Sequence, residues 1–301
     1  ICSSSTFLTP PSSPSLSQSN DRSTKNWIIP IQFHFHIQSR CISQEDVQNS
    51  MIRKWKKAIT SPESSVFYHD DKALYKLLHT VSSVSSFDKD IIFPDMGTLI
   101  YHCLLADDDD DDDDLRSALE SLWQLVLLYV YGGAYVNIRR TEPNKDTGKL
   151  LKLIKKPTGI ILFHIDPTKS YQMNNVSPYV MVSAPRHPFL FHAIHHFLFH
   201  LMYADEDEDG NNMNGQYGDR LIQQALQRAL VDFQPNDSSN KDPIPILQAR
   251  DYFQDVQVRT GSNEKRMRGG RVRGRNTDDR PKSRRMTCLQ RLAEASNPDF
   301  R

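Results

Sequence analysis

Residues 115–140, LRSALESLWQLVLLYVYGGAYVNIRR, constrain what this chain can fold into more than any other stretch. Leu115, Ala118, Leu119, Leu122, Val126 and Val130 recur at helical spacing and predict a helix with one apolar face. Ser117, Ser121 and Gln124 fall on a neighbouring polar stripe. Gly132 and Gly133 follow directly, where glycine most easily forms a left-handed helix C-cap. The segment AYVNI then alternates. It predicts a strand with Ala134, Val136 and Ile138 on one side and Tyr135, Asn137 and Arg139 on the other. A helix feeding a buried strand that ends in polar residues is a common frame for a ligand site in an α/β protein.

The flanking sequence repeats this strand–helix alternation. IIPIQFHFHIQ (28–38) has period two through Ile29, Ile31, Phe33, Phe35 and Ile37, with Gln32, His34 and His36 on its other face. Residues 43–59 read as a helix that a capping box of Ser43 and Asp46 would open, striped by Val47, Met51, Trp55 and Ile59. VFYHDDKALYKLL (66–78) reads as strand, turn and helix start. Its Asp70 and Asp71 would point to opposite faces of a strand. They do not form a chelating pair by themselves, and an N-cap with a turn acid and a ligand-facing role both stand as readings. Residues 141–157 are polar with a short amphipathic segment, 158–167 and 179–183 read as strands, and Pro188 suits the first turn of a long helix. A helix over 218–233 and a last strand over 244–256 complete the pattern, so the expected class is α/β.

Composition sets the borders. Residues 1–26 are rich in Ser, Thr and Pro and predict a disordered stalk. Residues 257–301 read as a basic, disordered tail, with 11 Lys/Arg against 3 acids between 259 and 285. An unbroken Asp run fills 107–114. Eight like charges repel and stay solvated, so 106–114 reads as a disordered insertion rather than a metal site. Residues 204–217 form an acidic loop. The formal charge of +0 gives no overall bias towards nucleic acid, and the basic tract lacks the interleaved aromatics of an RNA-binding segment. The four cysteines are scattered without a C-x-x-C pair, which indicates neither a zinc ribbon nor a disulfide framework and leaves the redox compartment open. His192, His195, His196 and His200 line one helix without a neighbouring carboxylate, so a core-edge histidine face is favoured over a metal site. No apolar run reaches 18 residues. The chain starts at Ile1 rather than Met, so any anchor or signal is expected to precede it.

Several of these segments resemble the glycosyltransferase family 32 type, the mannosyltransferase-like group whose sugar-binding region contains a DXD motif. Leu128, Tyr129, Gly132, Gly133 and Tyr135 match its Leu-Tyr-x-x-Gly-Gly-x-Tyr-x-Asp-x-Asp pattern in register, and the Asp-x-Asp pair falls on Asn137 and Arg139. The family's helix Asp and Arg fall on Ser121 and Gln124. The opening strand resembles Ile-Pro-Lys-x-Ile-His-Gln-x-Trp, with His34 on the His position and Ile37 in place of Trp. Asp70 and Asp71 match a paired Asp, and Ala184-Pro185-Arg186-His187-Pro188 matches a turn that lies beside the sugar nucleotide in that family.

The resemblance implies a GT-A-like nucleotide-diphospho-sugar transferase domain over 27–256, with a mixed, mostly parallel sheet flanked by helices. It implies transfer of a hexose from a GDP- or UDP-linked sugar to a glycan or lipid acceptor. The donor-binding candidates are Ser121, Gln124, Tyr135, Asn137, Arg139, Arg140, His187 and His34, and no residue is assigned as catalytic. Family members use Mn2+ or Mg2+ at the DXD motif. Asn137 offers one neutral oxygen and Arg139 only donors, so metal binding here is expected to be weak or absent. Arg139 or Arg140 could neutralise the diphosphate instead. The alternatives are an inactive pseudo-glycosyltransferase that keeps a sugar or nucleotide pocket, and an RNA-associated protein acting through the tail. A lumenal Golgi setting follows by resemblance, with membrane attachment only through a missing N-terminal anchor. The sequons at Asn175 and Asn236 agree with that setting.

Overall fold

The computed structural model describes residues 27–37, 47–82, 99–105, 113–156, 158–164, 176–203, 217–233, 244–255 and 288–295. The stalk, the acidic loop, both sequon asparagines, the basic tract 259–285 and most of the Asp run lie outside them. A six-stranded sheet forms the centre. Its strands are β1 (Gln32–His36), β2 (Ser65–His69), β3 (Gly133–Val136), β5 (Ile160–His164), β6 (Val180–Ser183) and β7 (Ile246–Gln248), in the order β2-β1-β3-β6-β5-β7. Every pairing is parallel except the two that β6 makes, with β3 and β5. A two-stranded sheet of β4 (Thr141–Pro143) and β8 (Phe253–Asp255) stands apart.

Helices cover both faces, and strand alternation decides which residues meet them. On one face Phe33, Phe35, Ala134, Val136, Phe163 and Val182 pack against α1 (Val47–Ile59) and α4 (Lys149–Ile154), with the Met51, Trp55 and Ile59 stripe buried as the spacing predicts. Trp55 is fully buried, and its Nε1–H donates to the Thr141 carbonyl at 3.1 Å. Burying such a ring contributes on the order of 5 kcal/mol. The other face carries Tyr135, Ile160, Leu162 and Met181 under α2 (Asp71–Ser82), α3 (Asp113–Tyr131), α5 (Pro188–Tyr203) and α6 (Tyr217–Phe233).

Several elements depart from the sequence reading. Helix α3 begins at Asp113, so the last two residues of the Asp run are helical. It is not half-exposed: from Ala118 to Val130 every residue except Glu120 is buried, because helices and sheet enclose it. Strand β3 ends at Val136, and residues 137–140 turn, with the amides of Arg140 and Thr141 both donating to the Asn137 carbonyl. The predicted alternation of Ile138 with Arg139 therefore stops short. The stretch 244–256 breaks at a 3-10 turn, Ala249–Asp251, into two strands in different sheets. The expected tail contains a helix, α7 (Cys288–Ala295). Its Cys288 is disulfide-bonded to Cys103, in the π-helical turn Ile100–Leu105, a bond that the scattered cysteine spacing did not indicate. The two lie 185 residues apart, a separation that no spacing rule reveals.

The glycine pair performs as expected. Gly132 and Gly133 have φ of +67° and +89°, and the Gly132 amide donates to the Leu128 carbonyl at 2.9 Å. A Cβ on Gly132 would sit 2.6 Å from Pro185 Cδ, and one on Gly133 2.6 Å from the Gln32 carbonyl oxygen. Both the handedness and the approach of neighbouring chain thus require glycine.

Candidate functional site at the carboxyl ends of β1 and β3

Strand β1 is followed in the sheet by β2 on one side, while β3 leads to β6 and β5 on the other. Ligands in open α/β sheets occupy the crevice outside the strands' carboxyl ends at such a switch point. The residues there come from β1, the β2–α2 junction, α3 and the turn after β3.

Histidines line the β1–β2 edge. His34 and His36 lie on the same side of β1, and the parallel register sets His36 beside His69 and His34 beside Tyr135. The Gly132 carbonyl can only accept, so His34 Nε2, 3.1 Å away, carries the proton. Its Nδ1 then accepts from His69 Nε2–H at 3.0 Å. Burial pushes the His34 pKa down to about 4, and burial with the neighbouring histidines takes His69 well below its ordinary value. Trp123 closes this layer, its ring centroid 5.5 Å from that of His36 and 5.3 Å from that of His69.

In front of this neutral layer stands a charged one. His36 Nε2 lies 3.2 Å from Asp71 Oδ1, and its Nδ1 lies 3.7 Å from Glu120 Oε2. Arg116 takes the outer oxygens, Asp71 Oδ2 at 2.7 Å and Glu120 Oε1 at 3.8 Å. The hydrogen bond from His36, aided by the Arg116 charge and opposed by partial burial, lowers the Asp71 pKa. The two acids of the pair take different contacts. Asp70 Oδ1 caps α2 by accepting the Ala73 amide at 3.0 Å, and Asp71 turns into the site.

The turn after β3 supplies the cations. Arg139 is exposed, and its guanidinium makes no hydrogen bond or ion pair among the described residues, although its charge reaches Asp71 and Tyr135. Arg140 is occupied. Its Nη2 lies 3.1 Å from Asp219 Oδ2, which also accepts from the Tyr179 hydroxyl at 3.1 Å, and the guanidinium stacks over the Tyr179 ring at 5.4 Å. Asn137 Oδ1 accepts the Arg139 amide at 3.1 Å. That oxygen serves its own turn, and the next motif position is a cation, so the pair does not fit a divalent metal.

Other sequence candidates fall outside the site. His187 follows β6, which runs antiparallel to β3 with Ser183 opposite Gly133. It therefore lies at the amino end of β3, about 10 Å or more from the 137–140 turn at the strand rise of about 3.3 Å per residue. There its Nδ1 accepts the Phe189 amide, its ring meets Trp27, and burial pushes its pKa down to about 4. His34 and Tyr135 are buried beneath the rim, with Tyr135's pKa raised by burial and by Glu120. Gln124 is buried and donates to the Pro178 carbonyl, which fixes a loop, and Ser121 is buried beside it in sequence. On α5, His196 pairs with Asp232 of α6 at 2.5 Å. His195 is exposed, and His192, His196 and His200 are half-buried, a core-edge face as read. His36, Arg116 and Glu120 escaped the sequence reading. His36 carried a signal, the period-two partnership with His34, but Glu120 sat on a helix whose orientation only packing reveals.

No protein-family model matches the chain, and no curated protein matches it. No helix among the described residues is long and apolar enough to cross a membrane.

Proposed function

We propose that the protein is a glycosyltransferase-like α/β protein of GT-A type, which takes a GDP- or UDP-linked sugar at the carboxyl ends of β1 and β3 for hexose transfer to a glycan or lipid acceptor. The observation that carries this reading is the 137–140 turn, which offers at the sheet's switch point the exposed Arg139 guanidinium, without a hydrogen bond or ion pair among the described residues. The single antiparallel strand in an otherwise parallel sheet supports the fold assignment. A planar guanidinium can pair with two phosphate oxygens and spread the leaving charge of a diphosphate without a metal. Arg140 contributes by position, holding Tyr179 and the start of α6 against the turn. The Golgi lumen goes with this reading. The Cys103–Cys288 disulfide supports it, because such bonds persist in oxidising compartments.

A second reading, an inactive relative that retains donor binding, is favoured by one observation. The only oxygen at the metal motif, Asn137 Oδ1, is spent on the Arg139 amide. Calorimetry with GDP- and UDP-linked sugars in the presence of a chelator tests the first step. Arg139→Ala is expected to weaken donor binding about tenfold or more, the loss of one charge-assisted pair. Binding that Arg139→Ala leaves unmoved overturns the proposal. Tight binding with no hydrolysis or transfer of the sugar favours the inactive relative.

A further inference from the structure

We infer that His36, Asp71 and Glu120 form a binding site for a first-row divalent transition-metal ion, separate from the eroded motif at Asn137 and Arg139. The inference does not rest on the glycosyltransferase reading. These are the one group of three His, Cys, Asp or Glu side chains among the described residues whose donor atoms all lie within 4.8 Å of one another. They come from three elements, the end of β1, the first residue of α2 and the second turn of α3.

The carboxylates are already turned. Arg116 holds the outer oxygen of each, which leaves Asp71 Oδ1 and Glu120 Oε2 directed at the imidazole. Outer partners that aim ligating carboxylates inward are a regular part of metal sites. The imidazole is 5% exposed and is held in place by the sheet and by Trp123. Asp71 and Glu120 keep 35% and 23% exposure, so they are the members free to move. A tetrahedral ion with bonds of about 2.1 Å needs donors about 3.4 Å apart. Asp71 Oδ1 now faces Nε2 at 3.2 Å and Glu120 Oε2 faces Nδ1 at 3.7 Å, and since an ion takes one of these nitrogens, one carboxylate has to turn towards the other's side; one donor atom from each residue already lies within 4.8 Å of the others. One nitrogen and two carboxylate oxygens suit Zn2+, Co2+ or Mn2+ better than Ca2+ or Mg2+, which prefer oxygen alone. The two carboxylates offset the ion's charge, with the Arg116 cation standing outside them.

The isolated position of Glu120 adds to the argument. It is the only residue of 118–130 that the core does not bury, and it opens towards the histidine layer rather than away from the molecule.

The full chain, stripped with a chelator and dialysed, is titrated with Zn2+ by calorimetry and with Co2+ by visible absorption. One ion per chain is expected, with Co2+ bands of a nitrogen–oxygen site. His36→Gln and Glu120→Gln should each lower affinity about tenfold or more, while His196→Gln and Arg139→Ala do not lower it. Glu120→Gln is nearly isosteric and part-exposed, so it keeps the test open where His36→Gln fails to fold, and Zn2+ should no longer raise its melting temperature. No saturable binding, or binding that neither His36→Gln nor Glu120→Gln weakens, overturns the inference. Loss of donor binding in Arg139→Ala leaves this result untouched, so the two proposals fail separately.

Discussion

The disulfide between Cys103 and Cys288 closes a loop of 185 residues that holds β3 to β8 and α3 to α6, with β1, β2, α1 and α2 outside it, and its removal is the most quantitative perturbation the molecule offers. Chain entropy alone assigns such a loop about 5 kcal/mol of stabilisation at 25 °C, through restriction of the unfolded ensemble. Helix α7 adds little of its own. It has only 8 residues, too few to be stable without its packing, and Leu292 is merely half-buried against the core. Tethering therefore explains its place better than affinity. The whole stability of a domain is typically about 5–15 kcal/mol, so losing this bond removes a large share of it. The expected outcome is that Cys288→Ser, or reduction of the native protein, lowers the unfolding free energy by about 3–5 kcal/mol in urea melts. Peptide mapping without reductant should recover the 103–288 link. An unchanged urea midpoint in Cys288→Ser, or a map that pairs either cysteine elsewhere, refutes the reasoning.

Three other outcomes follow from named contacts. His34 and His187 have pKa values near 4 in the fold against 6.5 unfolded, so the unfolded chain binds protons first as pH falls. Stability is complete above pH 6.5 and declines towards pH 4 by about 1.4 kcal/mol per unit for each histidine. His187→Asn, which keeps an acceptor for the Phe189 amide, should flatten that slope in urea melts across the range. Gly132→Ala should destabilise by about 1–2 kcal/mol from the left-handed backbone alone, and further from its clash with Pro185, as thermal melting would record. Arg140→Met should cost about 1–2 kcal/mol in urea melts, below the 3–5 of a fully buried pair, since Arg140 and Asp219 keep 16% and 23% exposure. Asp219→Asn in that background should add less than it does alone.

How far the sequence exposes this structure depends on whether a property is local. Period two in β1 and the Gly132-Gly133 break are local, and both were readable because sterics act within a few residues. The end of β3 was not. The alternation of AYVNI continues past Val136, yet Asn137 accepts two amides from the following turn, and that competition has no hydrophobic signature. The same limit misled the reading of α3. Ser121 and Gln124 read as a polar stripe beside the apolar face, but both are buried, and Gln124 satisfies its burial through the Pro178 carbonyl.

The site itself shows why polar residues on one strand face carried two meanings. His34 and His36 differ by one pleat and share a face, yet they have opposite roles. His34 is locked behind Gly132 and held neutral by burial, while His36, one step nearer the strand's carboxyl end, meets two carboxylates. Depth along the strand separates them. The neutral pair of His34 and His69 places no charge behind His36, so among the described residues the carboxylates of Asp71 and Glu120 meet positive charge from the front, from Arg116 and, for Asp71, from Arg139 as well. His34→Gln would retain a donor to the Gly132 carbonyl while removing one ring of that wall. On this reasoning it should change stability more than cation affinity, and the reverse should hold for Glu120→Gln.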